Sequence, residues 1–364
     1  MGFRSLTLLV LLSATAVAQS APRKAVRICA GGDVSLGTNL DTTWSIGRFA
    51  DGRKVAALPE PRELLAPLAP LFADANIVLL NVEGAIGRGY APPKCARRST
   101  QCYALRMQPA AASAIRHVND SAAVVGNVSN NHMHDAGSGG LAETERLLQA
   151  AGVLATGDDT LGTAVPVSAG DTVAFLGFSP WGAMGLNDLD AVRRHVARAA
   201  ARYGRVIVTM HIGAEGSAAR HTPNLVERFA GENRGNSVAF SRAALDGGAS
   251  MVIGSGPHVL RAMETIGASL VAHSLGNLVT YGPFNHSGYN DHGAVLCATL
   301  GADGSVTDAI VKSTRQSTPG IVQADSENLG AQDIAELSKQ DFPKTGAVIS
   351  VAGEIKSPRT TSPH

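Results

Sequence analysis

Apolar and polar positions follow a repeating order along this chain: a short, largely apolar run, then an abrupt polar ending. Val26–Ala30 runs into Gly32-Asp33, Ile77–Leu80 into Asn81-Val82-Glu83, and Ala122–Val125 into Asn127 and Ser129-Asn130-Asn131-His132. Val206–Met210 runs into His211-Ile212-Gly213-Ala214-Glu215, and Met251–Ile253 into Gly254-Ser255-Gly256-Pro257-His258. Runs this short, closed by turn residues, predict buried strands. Thr172–Leu176, Ser269–Ala272 and Ala294–Leu300 read as further strands. Helical spacing fills the intervals: Pro61–Ala75, broken by Pro67 and Pro70, then Pro109–Val118, Leu141–Ala151, Asp188–Tyr203 and Val238–Leu245. Gly152 stops the third of these and Gly247-Gly248 the last. From Ser313 the chain is polar and weakly patterned, with one short helix near Ile334–Leu337. Strand-helix alternation of this kind predicts an α/β layered fold without internal repeats.

The polar endings carry the candidate chemistry. In α/β sheets, sites collect beyond the carboxyl ends of the strands, so these endings can converge in one crevice. Asp, Glu, Asn and several His together form the donor set of an oxygen- and imidazole-ligated metal. No zinc-type cysteine cluster is present, and neither Ser179 nor Ser274 has the flanking glycines of a serine nucleophile elbow.

Composition adds limits. The chain has 364 residues, 45% hydrophobic and 17% charged, with a net charge of +1, which gives no reason to invoke nucleic acid or bulk attachment to membranes. Arg4, the apolar stretch Leu6–Leu12 and Ala16-Val17-Ala18 read as a cleavable export signal over residues 1–18, too short to span a bilayer. The mature protein is then expected in the periplasm or secreted, with no transmembrane anchor. Among the four cysteines, Cys95 and Cys102 flank a basic polar loop and are expected to form a disulfide, whereas Cys29 and Cys297 lie in apolar runs and read as buried thiols.

Gly32-Asp33, Asn81-Val82-Glu83, Asn130-Asn131-His132 with Asp135-Ala136-Gly137, His211-x-Gly213-x-Glu215, Gly254–Val259 and Ser274-Leu275-Gly276-Asn277 resemble, in order and spacing, the bacterial CapA-type capsule-synthesis family. That family is associated with poly-γ-glutamate. The resemblance covers about Val26 to Thr299 and extends to Gly231–Gly235 and Leu337–Phe342. It implies a metallophosphatase-like, calcineurin-like α-β-β-α sandwich over residues 19–312, followed by a polar extension over 313–364. It also implies one or two divalent ions (manganese, zinc or iron) held by Asp33, Glu83, Asn131, His211 and His258. His132 and Glu215 are the implied catalytic groups, and Arg234 and Asn277 the implied substrate-binding groups. Two positions depart from the metallophosphatase pattern: Ser35 and Gly256 stand where histidine ligands are expected, one from each half of a two-metal site.

Three readings stay open on sequence alone. One is a metal-dependent hydrolase acting on an amide, a phosphoester or an anionic polymer such as poly-γ-glutamate. The second is a non-catalytic factor that binds such a polymer, or a small anion, alongside other capsule-assembly proteins. The third is a structural protein whose cleft has lost its metal.

Overall fold

The computed structural model describes residues 23–37, 60–88, 103–157, 162–182, 185–282 and 284–356. The expected export signal and the Cys95–Cys102 pair lie outside these residues. The described fold begins with β1 (Val26–Ser35), α1 (Pro61–Leu65), α2 (Ala69–Phe72), β2 (Ile77–Val82), β3 (Ala85–Ile86) and β4 (Arg106–Met107). It continues through α3 (Ala110–Arg116), β5 (Ala123–Asn127), α4 (Gly137–Ala151), β6 (Val153–Thr156), β7 (Thr163–Ser168), β8 (Asp171–Phe178), α5 (Leu189–Tyr203) and β9 (Val206–His211). Next come β10 (Glu227–Phe229), β11 (Glu232–Gly235), α6 (Ser237–Asp246), β12 (Met251–Ser255), β13 (Met263–Ile266), β14 (Ser269–Ala272) and β15 (Asn277–Thr280). Finally, β16 (His292–Leu300), β17 (Val306–Ser317), β18 (Ile321–Ala324), α7 (Leu329–Asp341) and β19 (Glu354–Ile355) close the fold.

Two mixed sheets stack face to face. The first runs β18-β17-β16-β1-β2-β5-β6, with β15 also on β1 and β19 on β17. The second runs β13-β14-β12-β9-β8-β7. Alternation along each strand explains the layering. Val26, Ile28, Ala30, Ile77 and Leu79 of one sheet meet Val173, Phe175, Ile207, Met251 and Ile253 of the other in a shared core. The alternate residues Cys29, Val78, Leu80 and Val124 face α1 to α4, and Leu176, Val206, Val208 and Val252 face α5 and α6. The result is the α-β-β-α sandwich that the sequence implies.

Local signals act as read. Pro67 and Pro70 divide the first helical stretch into α1, a 3-10 turn and α2. Gly152 ends α4 at φ +84°, where an L side chain is disfavoured. Asp188 caps α5 by accepting from the Ala191 amide.

Two expectations need correction. Cys29 and Cys297 are joined in a disulfide and are not free thiols, because β1 and β16 pair antiparallel with these two residues directly opposite. The segment after residue 313 is part of the sandwich: β17 pairs with β16 from Val306 to Arg315, and α7 places Ala331 and Ile334 in the inter-sheet core. Its polar composition reflects one-sided burial on a strand and a helix that each keep a wet face. Among the described residues, no helix is long and apolar enough to cross a membrane.

Candidate metal centre

The site forms where strands of both sheets end. At Gly32 a Cβ would fall 1.9 Å from the Gly276 carbonyl oxygen, so only glycine lets β1 approach the segment leading into β15 this closely. The Asp33 amide then donates to Gly276 O at 3.0 Å, and Asp33 stands in register between Asn81 of β2 and Asn277 of β15. Glu83 follows β2, fixed by its amide on Val34 O at 2.9 Å. His211 ends β9 opposite Ser255, the last residue of β12. His258 lies just beyond β12 with φ +57°, a left-handed conformation that costs a non-glycine residue energy and is characteristic of functional positions.

These four side chains converge. One donor atom each from Asp33, Glu83 and His258 lies within 4.8 Å of the others. His258 Nε2 is 3.5 Å from Glu83 Oε1, His258 Nδ1 is 3.1 Å from Asp33 Oδ2, and His211 Nε2 is 3.7 Å from Glu83 Oε1. Burial is nearly complete: Asp33 and Glu83 are 0% exposed and His211 is 1% exposed. Yet both Glu83 oxygens, Asn131 Oδ1 and His211 Nε2 have no hydrogen-bond partner. A buried unpaired polar atom costs about 1–3 kcal/mol, more when charged. Carboxylate, amide and imidazole atoms of this kind suit a divalent cation, and Asp33, Glu83 and His258 lie close enough together to hold one.

The electrostatics agree. Burial pushes the Glu83 carboxyl well above its ordinary range. Burial would also raise Asp33, but its contact with His258, the His258 charge and a bond from Asn81 outweigh that and hold it low. Burial drives His211 down to about 3, so it stays neutral, as a metal-ligating imidazole must. His258 moves the other way: burial is outweighed by Glu83, Asp33 and Glu215, and it is raised well above its ordinary value. Imidazolium is the internal countercharge that a cation would replace.

Neighbours hold these groups in place, several of which sequence reasoning gave no role. Asn81 Nδ2 donates to Asp33 Oδ1 at 2.8 Å, while Asn127 Nδ2 holds Asn81 Oδ1 at 2.8 Å. His211 Nδ1 lies 3.1 Å from Ser255 Oγ, which leaves Nε2 facing Glu83. His132 Nδ1 is 2.6 Å from Asp135 Oδ2, itself fixed by the Leu105 amide at 2.7 Å, and His132 Nε2 is 3.9 Å from Glu83 Oε1. The available signal was position: Asn81 and Asn127 end strands, Ser255 ends β12, and Asp135 follows His132 by three.

Asn277 is buried, and its Oδ1 lies 2.8 Å from His258 Nδ1, so it orients His258. Glu215 Oε2 comes within 3.9 Å of His258 Nε2, but Oε1 is engaged by Arg234 Nη2 at 2.7 Å. Arg234 is buried beside Trp181, whose ring meets His211 edge-on with centroids 6.4 Å apart.

The two departures have physical counterparts. Ser35 is buried and directs its hydroxyl to Gly37 O. At Gly256, φ is +109° and a Cβ would lie 3.2 Å from His211 Nε2 and from the Ile212 amide nitrogen, so a side chain here would crowd the His211 ring. Asp33, Glu83 and His258 still present donor atoms close enough together to hold a cation.

A family model for the bacterial capsule synthesis protein PGA_cap matches residues 27–281. No curated protein matches the chain significantly. Among solved structures, the chain is similar to a 5'-nucleotidase precursor from Thermus thermophilus (TM-score 0.38, 12% identity, covering 88% of this chain and 59% of that one). It is also similar to GAP50, the anchor in the inner membrane complex of Plasmodium (TM-score 0.38, 9% identity, covering 83% of this chain and 88% of that one). The chain thus spans less than two thirds of the nucleotidase.

Proposed function

This chain belongs to the bacterial capsule synthesis protein PGA_cap family, and from that membership we propose that it is a metal-dependent hydrolase of capsule metabolism. The observation that carries the reading is the buried cluster of Asp33, Glu83 and His258, with both Glu83 oxygens and the nearby His211 Nε2 left without hydrogen bonds. Asp33, Glu83 and His258 would hold one divalent cation, and Glu83, Asn131 and His211 a second, weaker one. Bound there, such a cation supplies Lewis acidity and activates water for attack.

The chain's own residues do the rest. Asn81, Ser255 and Asn277 fix the orientation of Asp33, His211 and His258. His132, oriented through Nδ1 by Asp135, is the group placed to give a proton to a leaving group at Nε2. Glu215 is committed to Arg234, so its part is positioning. The substrate in this reading is an amide or phosphoester linkage, with an anionic polymer such as poly-γ-glutamate as the capsule-related candidate. The export-type N-terminus and the Cys29–Cys297 disulfide support a periplasmic or secreted protein.

The test is hydrolysis by the mature protein of poly-γ-glutamate and of an aryl phosphate, with and without chelation. Cleavage of either that is lost on chelation and restored by manganese, zinc or iron is expected. Metal-loaded protein that binds poly-γ-glutamate but cleaves neither probe would replace the hydrolase by the binding factor, which the Ser35 and Gly256 departures favour.

A further inference from the structure

A cavity of about 340 Å³ opens where the β17–β18 hairpin meets the loop after β15, with His286, Asp291, Arg315, Gln316 and Gln323 in its wall. Close packing of the hairpin turn builds it. Gly320, at φ +115°, lets the turn close on the end of β15, where a Cβ would collide with the Thr280 carbonyl oxygen. Gly282 donates its amide to Pro319 O at 2.8 Å. Gln316 is used at both ends: Oε1 accepts from the Thr280 amide at 2.8 Å, and Nε2 donates to Asn277 O at 3.2 Å. These ties make the wall preformed.

The polar groups of that wall are out of balance. His286 is 8% exposed and Asp291 6%. His286 Nε2 lies 2.8 Å from Thr280 O, which can only accept, so Nε2 carries the proton. Burial lowers the His286 pKa, so the ring stays neutral and Nδ1 is a lone-pair acceptor. That Nδ1 has no hydrogen-bond partner, and neither has Asp291 Oδ1, which His292 Nε2 approaches only to 3.5 Å. Two buried acceptors, one of them on a carboxylate, therefore lack a donor. Arg315 offers the opposite sign at the rim. Its Nε donates to Asp291 Oδ2 at 3.1 Å, its side chain is half exposed, and its Nη nitrogens make no hydrogen bond among the described residues.

An ammonium group brings three donors and no acceptor, which suits the first pair, and a carboxylate matches the fork of a guanidinium. A volume at the lower end of the range for ligand pockets suits one small molecule. We infer that this cavity binds a small α-amino acid, its ammonium group directed to Asp291 and His286 and its carboxylate to the Nη edge of Arg315. The cavity is separate from the metal cluster but tied to it: Gln316 holds the backbone of Asn277, whose side chain orients His258. The inference does not rest on the hydrolase reading.

The test is calorimetric titration of the mature protein with glycine, L-alanine and L-glutamate, and with propionate and ethylammonium as the two halves of the ligand. Saturable binding of at least one amino acid is expected, with each half at least tenfold weaker. Arg315→Gln, a change at the half-exposed rim, should raise the Kd tenfold or more, about the weight of one charge-assisted bond. Arg315→Lys, which keeps the charge without the fork, should raise it less. Asp291→Asn should weaken binding as much as Arg315→Gln; if it does not fold, the Arg315 variants decide. Dialysis of the wild type against a chelator should leave the Kd unchanged. Absence of amino-acid binding, a wild-type Kd in Arg315→Gln, or propionate binding as tightly as the amino acid would overturn the inference. So would binding that disappears with the metal, an outcome that leaves the hydrolase reading standing. Arg315-dependent binding by a protein that takes up no metal sinks the hydrolase reading alone.

Discussion

Glu83 and Glu264 are both fully buried carboxylates, and they are treated in opposite ways. Glu264, on β13, receives Arg242 through both oxygens at 3.0 and 2.6 Å, His273 Nε2 at 2.9 Å, and the Thr345 hydroxyl. Burial would raise its pKa, but His273, Arg242 and Thr345 outweigh burial and hold it at about 2. Neither Glu83 oxygen has a hydrogen bond, and burial leaves it raised. A saturated buried carboxylate ties α6 and the segment after α7 to the sheet. An unsaturated one is a cost to folding, and under the proposed function a bound cation would offset it.

That contrast yields opposite responses to the same chemical change. The largest effect concerns turnover: His132→Ala should lower it by about a hundred- to ten-thousandfold while metal content stays at the wild-type level, because Asn131 and not His132 is the expected ligand. Loss of metal in this variant would move His132 into the ligand set. Next, Glu264→Gln should destabilise the protein by about 3 kcal/mol in denaturant titrations without altering metal uptake. Glu83→Gln should abolish metal uptake yet leave the metal-free protein at least as stable as wild type. Equal destabilisation of the two metal-free variants would erase the distinction.

The pH dependence sharpens it. Glu264 is depressed in the folded state from 4.5 to about 2. Its contribution is therefore complete above its unfolded value and is lost as pH falls through the folded one. The stability gap between wild type and Glu264→Gln should be constant from pH 7 to about 5 and shrink steadily towards pH 2. A gap that widens on acidification contradicts the assignment. The smallest effects belong to the orienting groups. Asn277→Ala and Ser255→Ala should each weaken metal affinity by about ten- to a hundredfold, measured by competition with a chelating dye.

The contrast also marks what the sequence could disclose. Asp33, Glu83, His211 and His258 were visible because each follows an apolar run, and strand ends in layered α/β folds face one crevice. The alternation disclosed an α/β layered fold, while the α-β-β-α order came from the family resemblance. Partners distant in the chain left no such trace. Cys29 and Cys297 are 268 residues apart, and only the pairing of β1 with β16 makes them neighbours. The C-terminal part looked like an extension because one-sided burial leaves β17 and α7 polar on average. Asn277 carried a donor side chain at a strand start, but whether it faced a ligand or the back of His258 depended on the close approach that Gly32 permits. Glu215 comes within 3.9 Å of His258, but its engagement with Arg234 on β11 could not be read from the sequence.

The most direct test of the unsaturated cluster is elemental analysis of the mature protein, purified at neutral pH without chelator, beside its Glu83→Gln variant. One or two equivalents of manganese, zinc or iron per chain in the wild type and almost none in the variant are expected. The same low metal content in both, after incubation with each of these ions, would contradict the metal site.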